Sequence, residues 1–340
     1  MTSAARRRVF SGIQPTGNLH LGNYLGAIKR WVDGQGEKEN FICVVDLHAI
    51  TLYQDPEELR QQIRQLFAHL IAAGIDTDET TLFVQSHVRA HAEGSWLLSC
   101  ITPLGWLQRM TQFKDKSSKQ GRQDGISTGL LTYPVLQAAD ILLYDAHEVP
   151  VGADQKQHVE LSRDIAQRFN HLYGETFVVP EPKIATIGAR IMAFDDPTSK
   201  MSKSATGGGH AVRMTDSDDV IRKTIKRAVT DSGRAIEFSD DPEKAGVNNL
   251  MSIFQVLTGK SRDECVEHFA AARGYGDLKT EVAEVVVEAV RPHRERYEAL
   301  MKDATELDRL LALGAERAAA IAEPKVAEVK ERMGLLAPAG

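Results

Sequence analysis

The side chains best suited to chemistry fall in two short stretches, whose His20 and Lys200 stand 180 residues apart. The first is Pro15-Thr16-Gly17-Asn18-Leu19-His20-Leu21-Gly22-Asn23. It follows an apolar strand, Val9 to Gln14, and opens a helix, where backbone N–H groups and the helix dipole favour a phosphate. Gly17 and Gly22 let a ligand approach the backbone. His20 and Asn23 stand three apart and can aim donors at one anion. A plain strand-to-helix turn with an incidental histidine accounts for these residues equally well. The second stretch is Lys200-Met201-Ser202-Lys203-Ser204, followed by Ala205-Thr206-Gly207-Gly208-Gly209. Two lysines, two hydroxyls and a glycine hinge suit a loop that closes on a polyphosphate, although lysine-rich loops are usually solvated surface.

A third stretch, Gly129 to Tyr144, holds one charge, Asp140. An ionised carboxylate in apolar surroundings is costly unless something donates to it. On a helix Tyr133, Gln137 and Asp140 share one face, a pocket floor able to take an N–H or O–H on an apolar ligand. A structural Asp that caps a neighbouring helix is the alternative. Val149-Pro150-Val151-Gly152-Ala153-Asp154-Gln155 puts a carboxylate at a strand's carboxyl end, where ribose hydroxyls bind in parallel sheets. His87 and His91 have metal-ligand spacing, but no third ligand is evident. Lys114, Lys116, Lys119 and Arg122 form a local basic loop suited to nucleic-acid backbone, to nucleotide phosphates or simply to solvent.

The elements that must position these residues alternate. Phe41 to Val45 is the run of a strand buried on both sides. Asp55-Pro56-Glu57-Glu58 opens a helix with an N-cap, a first-position proline and a capping-box Glu. Its stripe of Leu59, Ile63, Leu66, Phe67, Leu70 and Ile71 ends at Gly74. Thr81 to Gln85 is the next strand. Strand-helix alternation predicts a parallel sheet with crossover helices. From about Ser217 onward the signals are helical, most clearly in Glu281 to Glu298 and Leu307 to Met333. The boundary falls at the Gly207–Gly209 loop or just after it.

Bulk properties exclude little else. The 340 residues carry a net charge of −6, so nucleic acid must be held by local patches. No apolar run is long enough to span a membrane, and basic Met1 to Arg8 leads into no secretory signal. Cys43, Cys100 and Cys265 are far apart and fit a reducing cytoplasm.

The chain resembles the class I aminoacyl-tRNA synthetases. His20-Leu21-Gly22-Asn23 stands in place of their HIGH motif, and Lys200 to Ser204 is their KMSKS motif as it stands. HLGN alone is shared with other nucleotidyltransferases, so the specific signal is the pair in this order and spacing. The likeness to bacterial tryptophanyl-tRNA synthetases is closer still. It covers nearly the whole chain, through Phe10 to Pro15, Asp46 to Thr51, Met110 to Lys114, Leu131 to Tyr144, Val151 to His158 and Gly188 to Met192.

The resemblance implies an α/β, Rossmann-type catalytic domain over 1–209, with a helical connecting insertion at about 103–135. It implies an α-helical anticodon-binding domain over 210–340. The implied partners are ATP as substrate with Mg²⁺ on its phosphates, L-tryptophan and tRNA(Trp), in a cytoplasmic homodimer without membrane segments. His20, Asn23, Lys200 and Lys203 would be catalytic. Gln14, Pro15 and Thr16 would cover the phosphates and ribose, with Gly22, Asn23, Met201, Ser202 and Ser204 also on ATP. Gly152 and Ala153 would admit the nucleotide, Asp154 would hold its ribose, and Ile191 would lie against adenine. Asp140 would accept the indole N–H in a pocket of Phe10, His48, Tyr133, Gln137, Val149, Val151 and Gln155. Many bacterial relatives have Met where this chain has Gln137. A tyrosyl-tRNA synthetase, a small-molecule nucleotidyltransferase and a synthetase-like binding protein without catalysis are the rival readings.

Overall fold

Phe41-Ile42-Cys43-Val44 is buried at every position, as a strand covered on both faces requires. A computed structural model of the chain describes residues 6–16, 19–112, 127–184, 191–201 and 209–337. Among them is a sheet of β1 (Arg8–Ile13), β2 (Glu39–Val44), β3 (Thr80–Val84), β4 (Glu148–Val151) and β5 (Glu181–Ile184), ordered β3-β2-β1-β4-β5. Every pairing is parallel, with β1 and β2 in register from Arg8↔Glu39 to Ile13↔Val44. The chain steps to one side of β1 for β2 and β3, and to the other for β4 and β5. That reversal between β1 and β4 is a topological switch point, beyond whose carboxyl ends ligands bind in such sheets.

Beyond β1 the chain forms α1 (Leu21–Asn23), a π turn over Tyr24–Ile28, and α2 (Lys29–Asp33). The apolar spacing here suggests a single regular helix. The structure inserts the wider π turn, which still buries Leu21, Leu25 and Ile28; such turns recur at functional sites. Short α3 (Asp46–Ala49) follows β2, and α4 (Pro56–Ala72) crosses to β3. Asp55 caps α4 by accepting from the N–H groups of Glu57 and Glu58, and Gly74, at φ 107°, supplies the left-handed exit. After β3 come a 3₁₀ turn at Gln85–His87, α5 (Ala90–Ser99), α6 (Leu104–Gln108) and α7 (Thr128–Leu142). α8 (Lys156–Tyr173) connects β4 to β5.

The second half is helical: α9 (Asp218–Lys226), α10 (Ala245–Thr258), α11 (Arg262–His268), α12 (Tyr275–Lys302) and α13 (Ala304–Arg332). α12 packs on α4, α9 and α10, so its buried Val282, Val286 and Val290 share one core with Leu66 and Leu70 of α4. α13 then turns back onto edge strand β3 and α5. It is pinned there by Lys330 to Glu93 at 2.8 Å and, past α7, by Lys325 to Asp145 at 3.0 Å. Among the described residues no helix is long and apolar enough to cross a membrane.

Candidate active site

A cavity of about 310 Å³ opens at the switch point. β1 contributes Phe10 and Gly12, the chain beyond it Gln14, the end of β2 Val45, and β4 Val149 and Val151. α3 supplies His48, and α7 supplies Tyr133, Gln137 and Asp140 from one face. Gln155, just past β4, closes the rim. All eight residues expected around an aromatic amino acid therefore line one cavity. The i, i+4, i+7 spacing on α7 worked because that segment is helical despite Pro134 in its interior.

Asp140 is 1% exposed and accepts three hydrogen bonds. Its Oδ1 takes His91 Nδ1 at 2.6 Å and Gln85 Nε2 at 2.7 Å; its Oδ2 takes His48 Nε2 at 2.8 Å. Burial alone would raise its pKa. The hydrogen bonds from His48 and His91, with their electrostatic attraction, outweigh burial and hold the carboxyl at about 2. The cavity floor is thus an anion that accepts and never donates. On the same helix face Tyr133 Oη lies 2.8 Å from His158 Nε2, and burial pushes its pKa up to about 12. Gln112 donates to the Asp154 carbonyl at 3.1 Å and faces Tyr133, tying the cavity to the carboxyl end of β4.

His91 and Gln85 are the partners that sequence reasoning missed. His91 was paired with His87 as a possible metal ligand. Instead His87 ends the 3₁₀ turn, while His91 sits on α5 with its ring fully buried against Asp140. Neither carried a local signal, since His91 lies 49 residues and Gln85 55 residues from Asp140. Among the described residues no group of three His, Cys, Asp or Glu side chains is arranged to hold a metal ion.

The HLGN turn follows β1 and lies outside the cavity lining. His20 N-caps α1: its Nδ1 accepts from the Asn23 N–H at 3.2 Å, while Asn23 Oδ1 accepts from the His20 N–H at 3.4 Å. A neutral His20 ring therefore carries its hydrogen on Nε2, and Asn23 keeps amide hydrogens on Nδ2. Both are donors suited to an oxyanion. The turn is stitched to the segment beyond the KMSKS stretch by Leu21 N–H to the Val212 carbonyl and Met214 N–H to the Leu19 carbonyl, each 2.9 Å.

Lys200 is exposed and Met201 is buried, held by a bridge from Lys200 to Met192 and a bond from Met201 N–H to the Ile191 carbonyl at 3.3 Å. Ile191 is itself buried. Ser202, Lys203 and Ser204, like the 114–122 basic loop and Gly17, lie outside the described residues. Pro15 is buried; Thr16, Gly152, Ala153 and Asp154 are exposed.

A doubly wound parallel sheet, an HLGN turn and a Lys-Met segment packed beside it define a nucleotide-activating enzyme. A family model described as tRNA synthetases class I (W and Y) matches residues 2–291. The tryptophan–tRNA ligase of Wolinella succinogenes is 51% identical over 331 residues, 97% of this chain and 99% of that one. The crystal structure of tryptophanyl-tRNA synthetase from Mycoplasma pneumoniae superposes with a TM-score of 0.85 at 35% identity, covering 97% of this chain and 98% of that one. That of the Campylobacter jejuni enzyme complexed with ADP and tryptophan gives 0.82 at 37% identity, covering 96% and 100%. The chain belongs to the class I tRNA synthetases of the tryptophan and tyrosine group, and within it to the tryptophan–tRNA ligases.

Proposed function

We propose that the enzyme activates L-tryptophan with ATP to tryptophanyl-AMP and transfers it to the 2′-hydroxyl of the terminal adenosine of tRNA(Trp). The observation that carries this reading is the switch-point cavity, where Phe10, Val45, Ile141, Val149 and Val151 stand beside one ionised acceptor, Asp140. Indole is an apolar plate with a single N–H donor, and Asp140 would accept it. Phe10, Val149 and Val151 would flank the ring, with Tyr133, Gln137, His48 and Gln155 at its polar end.

The tryptophan carboxylate then attacks the α-phosphate in line, releasing pyrophosphate. No protein nucleophile is needed, and the residues act by positioning and by meeting developing charge. His20 Nε2–H and the Asn23 amide would donate to the phosphate oxygens, and Lys200 and Lys203 would hold the leaving pyrophosphate. Gln14, Pro15, Thr16 and Gly22 would border the nucleotide, Asp154 its ribose beside Gly152 and Ala153, and Ile191 its base. Met201, Ser202 and Ser204 would complete the loop. Mg²⁺ would offset the phosphate charge, carried on the nucleotide.

Residues 1–209 form the proposed catalytic domain, with the connecting insertion near 103–135, and 210–340 the anticodon-binding domain. A cytoplasmic homodimer is proposed as well. Ile50, Leu52 and Tyr53 are exposed apolar neighbours in sequence and suit a subunit seam.

The test is amino-acid-dependent ATP–pyrophosphate exchange with tryptophan, with tyrosine and with no addition. Exchange with tryptophan alone is expected. Exchange with tyrosine instead would keep the mechanism and overturn the pocket, and no exchange with either would remove the enzymatic reading.

A further inference from the structure

Four elements converge on one carboxylate. His48 comes from α3, Gln85 from the turn after β3, His91 from α5, and Asp140 itself from α7. The bonds are shared unevenly. Oδ1 accepts two, from His91 and Gln85, whereas Oδ2 accepts one, from His48. A carboxylate oxygen has about two lone-pair directions, so Oδ1 is saturated and the remaining acceptor capacity lies on Oδ2.

Behind His91 stands Tyr144, 0% exposed and packed among Phe10, Phe41 and Phe83. Its hydroxyl lies 2.8 Å from His91 Nε2. A neutral imidazole has one N–H, and Asp140 requires it at Nδ1, so Nε2 must accept and the Tyr144 O–H must donate. Gln85 is oriented in the same way, because its Oε1 accepts the Leu47 N–H at 3.1 Å and so turns its amide hydrogens toward Asp140. Neither His91 nor Gln85 lines the cavity.

We infer that His91, oriented by Tyr144 and assisted by Gln85, is the positioning residue that gives this pocket its preference for a ring N–H, by occupying Oδ1 so that Asp140 offers the ligand one acceptor in one direction. The inference rests on the reading of the cavity as the tryptophan site. Without the His91 donor the carboxylate can turn about its bond or take up a proton. Either change weakens an N–H ligand and leaves an isostere lacking the N–H unaffected.

The experiment compares tryptophan with β-(3-benzothienyl)alanine, in which sulfur replaces the N–H, by pyrophosphate exchange and competitive inhibition. His91→Leu is expected to raise KM for tryptophan about 10- to 100-fold, the range for losing a hydrogen bond to a charged group. kcat, KM for ATP and Ki of the sulfur analogue should stay within about threefold, the scatter of such measurements when no direct contact is lost. Tyr144→Phe, which deletes only the orienting hydroxyl, should raise KM for tryptophan about 3- to 10-fold. His91→Gln, which retains an N–H donor, should recover most of the discrimination.

Equal weakening of tryptophan and its sulfur analogue in both His91→Leu and Tyr144→Phe would overturn the inference and leave these residues as packing alone. Absence of tryptophan-dependent exchange in the unmodified enzyme would sink the parent reading, and this one with it.

Discussion

Gly22 and Met201 touch across the two signature stretches. A methyl group built on Gly22 would stand 3.3 Å from Met201 Cβ and 3.1 Å from His20 Nδ1. The helix turn that would meet the phosphates and the segment that leads into the KMSKS loop are thus one packed unit. Ile191 closes it from below through its bond to Met201.

That contact makes Gly22→Ala informative. The added methyl must displace the His20 ring or Met201 by a few tenths of an ångström. Misplacement on this scale, remote from the amino-acid cavity, should lower kcat for exchange by about tenfold or more. KM for tryptophan should hold within about twofold, since no cavity contact changes. Steady-state exchange at varied ATP and tryptophan separates the two effects. A rise in tryptophan KM with kcat intact would show that the contact serves the cavity instead.

Asp140→Asn removes the anion but keeps the shape. His48 and His91 then face an amide that can satisfy them only in part. A loss of about 10² or more in kcat/KM for tryptophan is expected, because a site built around one polar contact fails when that contact goes. Breaking a buried, paired charge should also cost stability on the order of 3 kcal/mol, read as a lower midpoint in urea. Unchanged tryptophan kinetics would remove Asp140 from the recognition role.

His293 of α12 gives the fold a pH dependence. It is 4% exposed, lies 3.0 Å from His69 of α4 through its Nε2, and burial with the nearby Arg296 charge lowers its pKa to about 4. In the unfolded chain a histidine titrates near about 6.5. Between these values the unfolded state binds more protons, so stability rises with pH. The contribution is complete above about pH 6.5 and is lost as pH falls to about 4, by on the order of 3 kcal/mol. Urea unfolding at pH 7 and pH 5 should show the drop, and His293→Leu should flatten it.

Gly314 of α13 sits directly on β3. A Cβ at that position would come 1.9 Å from the Leu82 carbonyl oxygen, which backbone cannot yield without separating helix from sheet. Gly314→Ala should therefore destabilise by about 3 kcal/mol or more, in the range of severe core overpacking. Calorimetry that found the variant as stable as the parent would contradict this packing of α13.

Local patterning determined much of this protein. The strand-helix alternation and buried runs such as Phe41 to Val44 made the parallel sheet legible, because period and burial are properties of neighbouring residues. The Asp55 cap and the Gly74 stop were legible for the same reason. The α7 face that brings Tyr133, Gln137 and Asp140 to one wall followed from helical geometry alone. The family resemblance supplied the rest of the cavity lining, Phe10, His48, Val149, Val151 and Gln155, which comes from segments far apart in the chain.

What only the tertiary structure decided is who satisfies whom. His91 stands 49 residues from Asp140, and Gln85 stands 55 away. Nothing in their local pattern tells them from a surface histidine and a polar turn. The π turn after Asn23, the return of α13 onto β3 and the contact of Gly22 with Met201 are of the same kind. A buried charge sets a demand that the sequence states, but the donors that meet it are chosen by how helices and strands close in space.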